Sequence, residues 1–160
     1  MEERESDWLR DQIGTMGGHC FALQARKTAN LLARVYNGAL EPLGLEISQF
    51  STLSAVALER SDSITELAGA LGVERSTLTR NLKVLERHGL IVRSEHQGRR
   101  STYRLTSKGR RMLLRALPLW NEVQARLSAA LSNSSASEPD PRKSLHLLRR
   151  AARALGSGMG

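Results

Sequence analysis

"SITELAGALGVERSTLTRNLKVLERHGLIVR", residues 63–93, decides how the chain is read. Ser63, followed three residues later by Glu66, has the form of a capping box in front of Ile64, Leu67, Ala68 and Leu71, which recur at the spacing of a one-sided helix. Gly72 stops that helix. A second begins near Arg75, keeps Leu78, Leu82 and Leu85 on its inner face and ends at Gly89. Two short helices across so tight a turn expose more ends than one long helix would. The pattern makes sense as a helix-turn-helix, in which the first helix braces across a phosphate backbone and the second brings its amino-terminal turns to the major groove.

Beyond Gly89 the period changes. "LIVRSE" (90–95) and "STYRLT" (101–106) are β-branched or aromatic, and "HQGRR" between them is turn-like and charged, so a small hairpin is expected there. Upstream, residues 19–41 place Ala22, Ala25, Ala29, Leu32, Tyr36 and Ala39 on one helical stripe, ended by Pro42 and Gly44. Residues 47–59 read as a helix with Phe50, Leu53, Val56 and Ala57 inward. Downstream, Thr106 caps a long helix carrying Met112, Leu113, Leu117, Trp120, Val123, Leu127 and Leu131, with a kink expected at Pro118. "SNSSASEPDP" is a linker by composition, and 143–155 form a last amphipathic helix on Leu145, Leu148, Ala152 and Leu155. The expected fold is mainly α with a small β-hairpin wing. It divides into an N-terminal dimerisation region (1–45), a winged helix-turn-helix (46–105) and C-terminal dimerisation helices (106–160). The outer helices carry more apolar stripe than the central unit can cover, so a second copy is the simplest cover. Folding back onto the central unit of the same chain is the alternative.

Charge names the partner class. Among 160 residues Lys and Arg outnumber Asp and Glu 24 to 16, for a net charge of +8. Such an excess favours a polyanion, nucleic acid before an acidic membrane; a well-solvated basic surface is the plainer reading. Location separates the two: from Arg93 to Arg111 there are seven basic residues and one acid, Glu95, whereas Glu2 to Asp11 mixes both signs. In "ERSTLTRN" Leu78 points inward, which leaves Arg75, Ser76, Thr77, Thr79 and Arg80 to solvent or to DNA, although such residues also decorate many soluble helices. Arginine donates in bidentate fashion to a guanine edge, and hydroxyls serve phosphates or either base. Arg99 and Arg100 stand at the hairpin tip, from which a guanidinium can enter a narrow minor groove.

Other chemistry is sparse. No GxSxG, HExxH, Walker loop or partnered carboxylate pair is present, so neither catalytic residues nor a cofactor are expected. Histidines 19, 88, 96 and 146 are scattered, and His19 and Cys20, though adjacent, point apart on a helix; no metal site is expected. One cysteine excludes an intramolecular disulfide framework and fits a reducing cytosol. The first 30 residues lack a secretory apolar run, and no stretch approaches a membrane span, so the expected location is cytoplasmic.

The segments "LGLEISQFSTLSAV", "ITELAGALGVERSTLTRNLKVLERHGLI" and "RRSTYRLTSKGRRML" together resemble the MarR family of bacterial transcription regulators, including its LTxxG at Leu105, Thr106 and Gly109. The resemblance runs from about residue 20 to 131. It implies an obligate homodimer whose first and last helices interlock, binding to pseudo-palindromic double-stranded operator DNA, and weakening of that binding by a small molecule or oxidant. Repression by occluding a promoter is the commoner outcome in the family. Many members carry Asp two residues before the wing arginine, where this chain has Gln97. A peroxide-sensing branch uses a cysteine near Cys20. Counted back from Tyr36, however, Cys20 lies two residues too early, and Gln24 stands where a second tyrosine would be. A redox regulator acting through Cys20 and a winged-helix module that contacts protein in place of DNA are the alternatives; Cys20 as a small buried hydrophobe is the plainer reading of that residue. For a small-molecule effector, Tyr36, Phe50 and Trp120 offer aromatic walls and Arg34 a cation for an aromatic carboxylate, although the same residues also suit an ordinary core.

Overall fold

A computed structural model describes residues 2–59, 63–95, 101–132 and 140–157. Its elements are α1 (Glu2–His19), α2 (Phe21–Leu40), a 3-10 turn (Glu41–Leu43), α3 (Ile47–Ala57), α4 (Ile64–Leu71), α5 (Arg75–Arg87), β1 (Ile91–Glu95), β2 (Ser101–Leu105), α6 (Ser107–Ser132) and α7 (Pro141–Ser157). The fold is mostly helical with one two-stranded antiparallel sheet, as the periodicities require. The chain forms two compact units, residues 1–123 and 124–160.

In the larger unit α3, α4 and α5 pack on one another. Leu53 and Val56 of α3, Leu67 and Ala68 of α4 and Leu78, Leu82 and Leu85 of α5 join Leu40, Leu90, Ile91, Leu113 and Ala116 in a single apolar core. Each leucine buried in this way contributes about 1.5–3 kcal/mol. Local signals set the boundaries. The Ser63 hydroxyl accepts from the Glu66 amide at 3.2 Å, and Gly72 closes α4 in the left-handed conformation at φ 65° that a side chain would disfavour. The α3 terminus is a full capping box between Glu46 and Gln49 that the sequence reading did not identify.

Two expectations need correction, and one helix was not anticipated. The acidic N-terminal segment is helical: α1 and α2 are separate helices that meet at Cys20, whose extended backbone (φ −75°, ψ 107°) divides them. On α2 the stripe is buried only toward its end. Ala22, Ala25 and Ala29 are exposed, Leu32, Tyr36 and Ala39 are half-buried, and Leu40 is buried, because α3 covers only the last turns. Ala57, Leu117 and Leu131 also face outward, whereas Leu113 and Val123 of the expected stripe are buried, together with Gly109 and Ala116. Pro118 lies inside α6, where the sequence reading put it. The stretch 133–139, most of the proposed linker, lies outside the described residues.

In the smaller unit α7 starts with Pro141 at its first position, after Asp140, whose carboxylate accepts from the Arg142 amide at 2.9 Å. Arg142 also donates to the Ser128 hydroxyl at 2.9 Å. Leu148 is half-buried, while Leu145, Leu147 and Leu155 are exposed.

Candidate nucleic-acid interface

The sidedness of α5 produces the site. Leu78, Leu82 and Leu85 are 0–1% exposed, so the helix cannot rotate without opening the core. Arg75, Ser76, Thr77 and Arg80 consequently face solvent, and Thr79 is half-buried with its hydroxyl donating to the Arg75 carbonyl at 2.7 Å. The turn before α5 is short: Gly72 and Val73 bond back to the carbonyls of Gly69 and Ala68, and Glu74 takes the N-cap without a side-chain cap bond. The first amides of α5 are therefore available to an anion, with the positive end of the helix dipole behind them. No ion pair among the described residues engages Arg75 or Arg80; the ion pair found there joins Arg10 and Asp7 on α1.

Beside α5 stands the wing. β1 and β2 pair in the register Ile91↔Leu105, Val92↔Arg104 and Arg93↔Tyr103, with Ile91 in the core and Arg93 and Arg104 exposed. The Arg93 guanidinium lies 5.9 Å from the centre of the Tyr103 ring, a cation–π arrangement that stiffens the hairpin on its solvent side. Arg99, Arg100 and Gln97 lie outside the described residues.

The end of β2 explains the LTxxG sequence. Thr106 donates its amide to the Leu90 carbonyl at 3.0 Å and its hydroxyl to the Gly89 carbonyl at 2.7 Å, while that hydroxyl accepts from the Gly109 amide at 3.0 Å. A Cβ on Gly109 would overlap the Leu90 carbonyl, so only glycine lets α6 start this close to the end of α5. Lys108 adds a bond from its ammonium to the His88 carbonyl at 2.8 Å, placing a cation at the carboxyl end of α5.

The remaining candidates are distributed differently. Phe50 is buried and stacks on half-buried Trp120, with ring centroids 6.1 Å apart and planes at 25°. Tyr36 is half-buried and Arg34 exposed on α2. Cys20 is half-buried and borders an open depression with Thr15, Met16 and His19. Sequence reasoning passed over Asn37 and Asn81. Asn37 Oδ1 accepts from the Ile47 amide at 2.8 Å, and Asn81 Nδ2 reaches the Ser48 carbonyl and the Thr52 hydroxyl, each at 3.4 Å. The available signal was Asn81 itself, an amide beside Leu82 on the inner flank of an amphipathic helix.

No helix among the described residues is long and apolar enough to cross a membrane. A family model described as the MarR family matches residues 43–100. An HTH-type transcriptional regulator of Bacillus subtilis, YwoH, is 35% identical over 77 residues, which is 48% of this chain and 56% of that protein, so the match spans only just over half of its length. The structure resembles that of the Mycobacterium tuberculosis transcriptional regulator MosR in complex with DNA, with 40% identity, a TM-score of 0.73 and coverage of 86% of this chain and 98% of the other. It also resembles the transcriptional repressor CouR bound to p-coumaroyl-CoA, with 25% identity, a TM-score of 0.69 and coverage of 86% and 95%.

Proposed function

Because the chain belongs to the MarR family of transcription regulators, we propose that it is a homodimeric cytoplasmic repressor that binds a pseudo-palindromic operator and is released by a small molecule or oxidant. The observation that carries the reading is the two-sided construction of α5. Its leucine face is fully committed to the core, and its opposite face offers Arg75, Ser76, Thr77, Thr79 and Arg80, whose arginines have no acidic partner among the described residues. In this reading those residues enter the major groove, Arg75 and Arg80 addressing base edges and the hydroxyls addressing phosphate. Arg99 and Arg100 follow the backbone or the adjacent minor groove from the wing.

Regions 1–45 and 106–160 carry dimerisation and 46–105 carries DNA binding. Apolar side chains exposed on α1, α2 and α7 support a second copy as their cover. A two-fold dimer sets its two recognition helices about 34–36 Å apart, one turn of duplex. The likeness to CouR, a repressor solved with p-coumaroyl-CoA bound, supports a small-molecule effector that carries an aromatic acyl group. Arg34 and Tyr36 are the residues proposed to meet it, and access to Phe50 and Trp120 requires parting their stack. The second reading, release by oxidation of Cys20, is favoured by the open depression beside that thiol.

The test is fluorescence anisotropy on duplexes tiled across the DNA upstream of the protein's own gene, with a scrambled duplex as control. Saturable binding to one symmetric segment, much tighter than to the scrambled sequence, is expected. Equal binding to all duplexes removes the sequence-specific reading, and no binding to any leaves the protein-interaction module. Repeating the titration after peroxide treatment, with Cys20→Ser alongside, separates oxidant from ligand.

A further inference from the structure

Helix α3 is held at its first turn by side chains of two other helices. The Ile47 amide, at the first position of α3, has no intrahelical partner, and Asn37 of α2 accepts it at 2.8 Å. One residue on, the Ser48 carbonyl receives the Thr52 hydroxyl at 2.8 Å and Asn81 Nδ2 of α5 at 3.4 Å. Asn81 also donates to Thr52 Oγ1, and Thr52, at 1% exposure, is a polar residue inside an otherwise apolar core. Leucine contacts alone are non-directional and tolerate small rotations and slides. The half-buried Asn81 amide adds direction to that packing, because turning α5 on α3 carries Nδ2 away from the Ser48 carbonyl and the Thr52 hydroxyl together.

We propose that Asn81 and Asn37 are positioning residues for DNA recognition: Asn81 fixes the rotation of α5 on α3, Asn37 fixes α3 to α2, and α3 is the rigid link between them. This rests on the reading of α5 as the recognition helix. Side chains turn by about 100° per residue around a helix, so the azimuth of Asn81 sets the direction in which Arg80 leaves the surface. Asn37 follows directly after Arg34 and Tyr36 on α2, the residues assigned to an effector. A displacement of that part of α2 therefore pulls on the amide that starts α3, and the next residue of α3 holds α5. Neither asparagine touches DNA in this scheme.

The experiment uses the full-length chain with the tightest upstream duplex and a scrambled one. Asn81→Leu and Asn37→Leu keep the branching at Cγ and remove the polar contacts; each is expected to weaken operator binding about tenfold, with binding to the scrambled duplex unchanged. Asn37→Asp retains an acceptor for the Ile47 amide and is expected to bind as the parent does. The double variant Asn37→Leu/Asn81→Leu is expected to lose no more than the worse single one, since a link cut at either end is already cut. Asn81→Ala gives the same comparison should leucine fail to fold there. Equal losses on both duplexes, parental binding by both leucine variants, or multiplying losses in the double variant would overturn the proposal. If the parent itself shows no preferred duplex, the functional reading fails first, and that result is distinct from all of these.

Discussion

Helices α5 and α7 follow the same plan, with leucines on one side and arginines on the other, yet their leucines meet different fates. In α5 Leu78, Leu82 and Leu85 are 0–1% exposed, whereas in α7 Leu145, Leu147 and Leu155 are 46%, 58% and 71% exposed. Periodicity states that a face is apolar, and it is silent on what lies against that face. For α5 the cover comes from its own chain, from α3, α4 and the first strand. For α7 Leu145, Leu147 and Leu155 have no such cover among the described residues, and under the proposed dimer a second copy supplies it.

The contrast can be broken most sharply at its buried end. Leu82→Asp places an unpaired carboxylate in the core and is expected to cost about 4 kcal/mol or more, abolishing a cooperative thermal transition in circular dichroism. Retention of the parental transition would mean that α5 is not seated as described. At the other end, Leu148→Asp is expected to dissociate the dimer while α5 and its core stay folded. Light scattering at micromolar concentration then gives the 17.7 kDa chain mass, where the parent gives twice that value. A parent that is itself monomeric at that concentration would return the exposed leucines to an unexplained surface.

The arginines sharpen the comparison further. Arg80→Ala is expected to cost about 1–3 kcal/mol on the operator and much less on random DNA. Equal loss on both sequences reassigns Arg80 to phosphate. The smallest effect is expected at the wing: replacing Arg99 and Arg100 together with alanine lowers the salt slope of log K by about 1–2, since each neutralised phosphate contributes about 0.9. Identical slopes would remove both residues from the interface.

Much of this was legible because the decisive signals are local. Ser63, Gly72, Gly89 and Thr106 mark ends with side chains or backbone conformations that act within a few residues, and α4, α5 and the two strands lie where those marks put them. Helix α1 was not legible. Its Trp8, Leu9, Ile13 and Met16 are interleaved with charges and with Gly14, Gly17 and Gly18, which lower helix propensity and obscure the stripe. Asn37 was unreadable for a different reason: it serves the amide of Ile47, ten residues away, and nothing in either residue's neighbourhood announces the pairing. Arg75 and Arg80 were readable as exposed, since Leu78 and Leu82 fix the opposite face, but their roles depend on a duplex that sequence periodicity cannot represent.

The bonds joining Thr106 to Gly89 and Leu90 have a meaning for how such proteins diverge. They bring the start and the end of the whole hairpin excursion to one point, so α5 and α6 hold their places whatever lies farther out. Lengthening a tethered loop is cheap, about 0.6 kcal/mol for each doubling. Insertions, deletions and wholesale replacement between residues 95 and 101 are therefore expected to leave the fold standing. Under the proposed function, chains of this kind are free to differ there in length and charge, while Thr106 and Gly109 admit almost no revision.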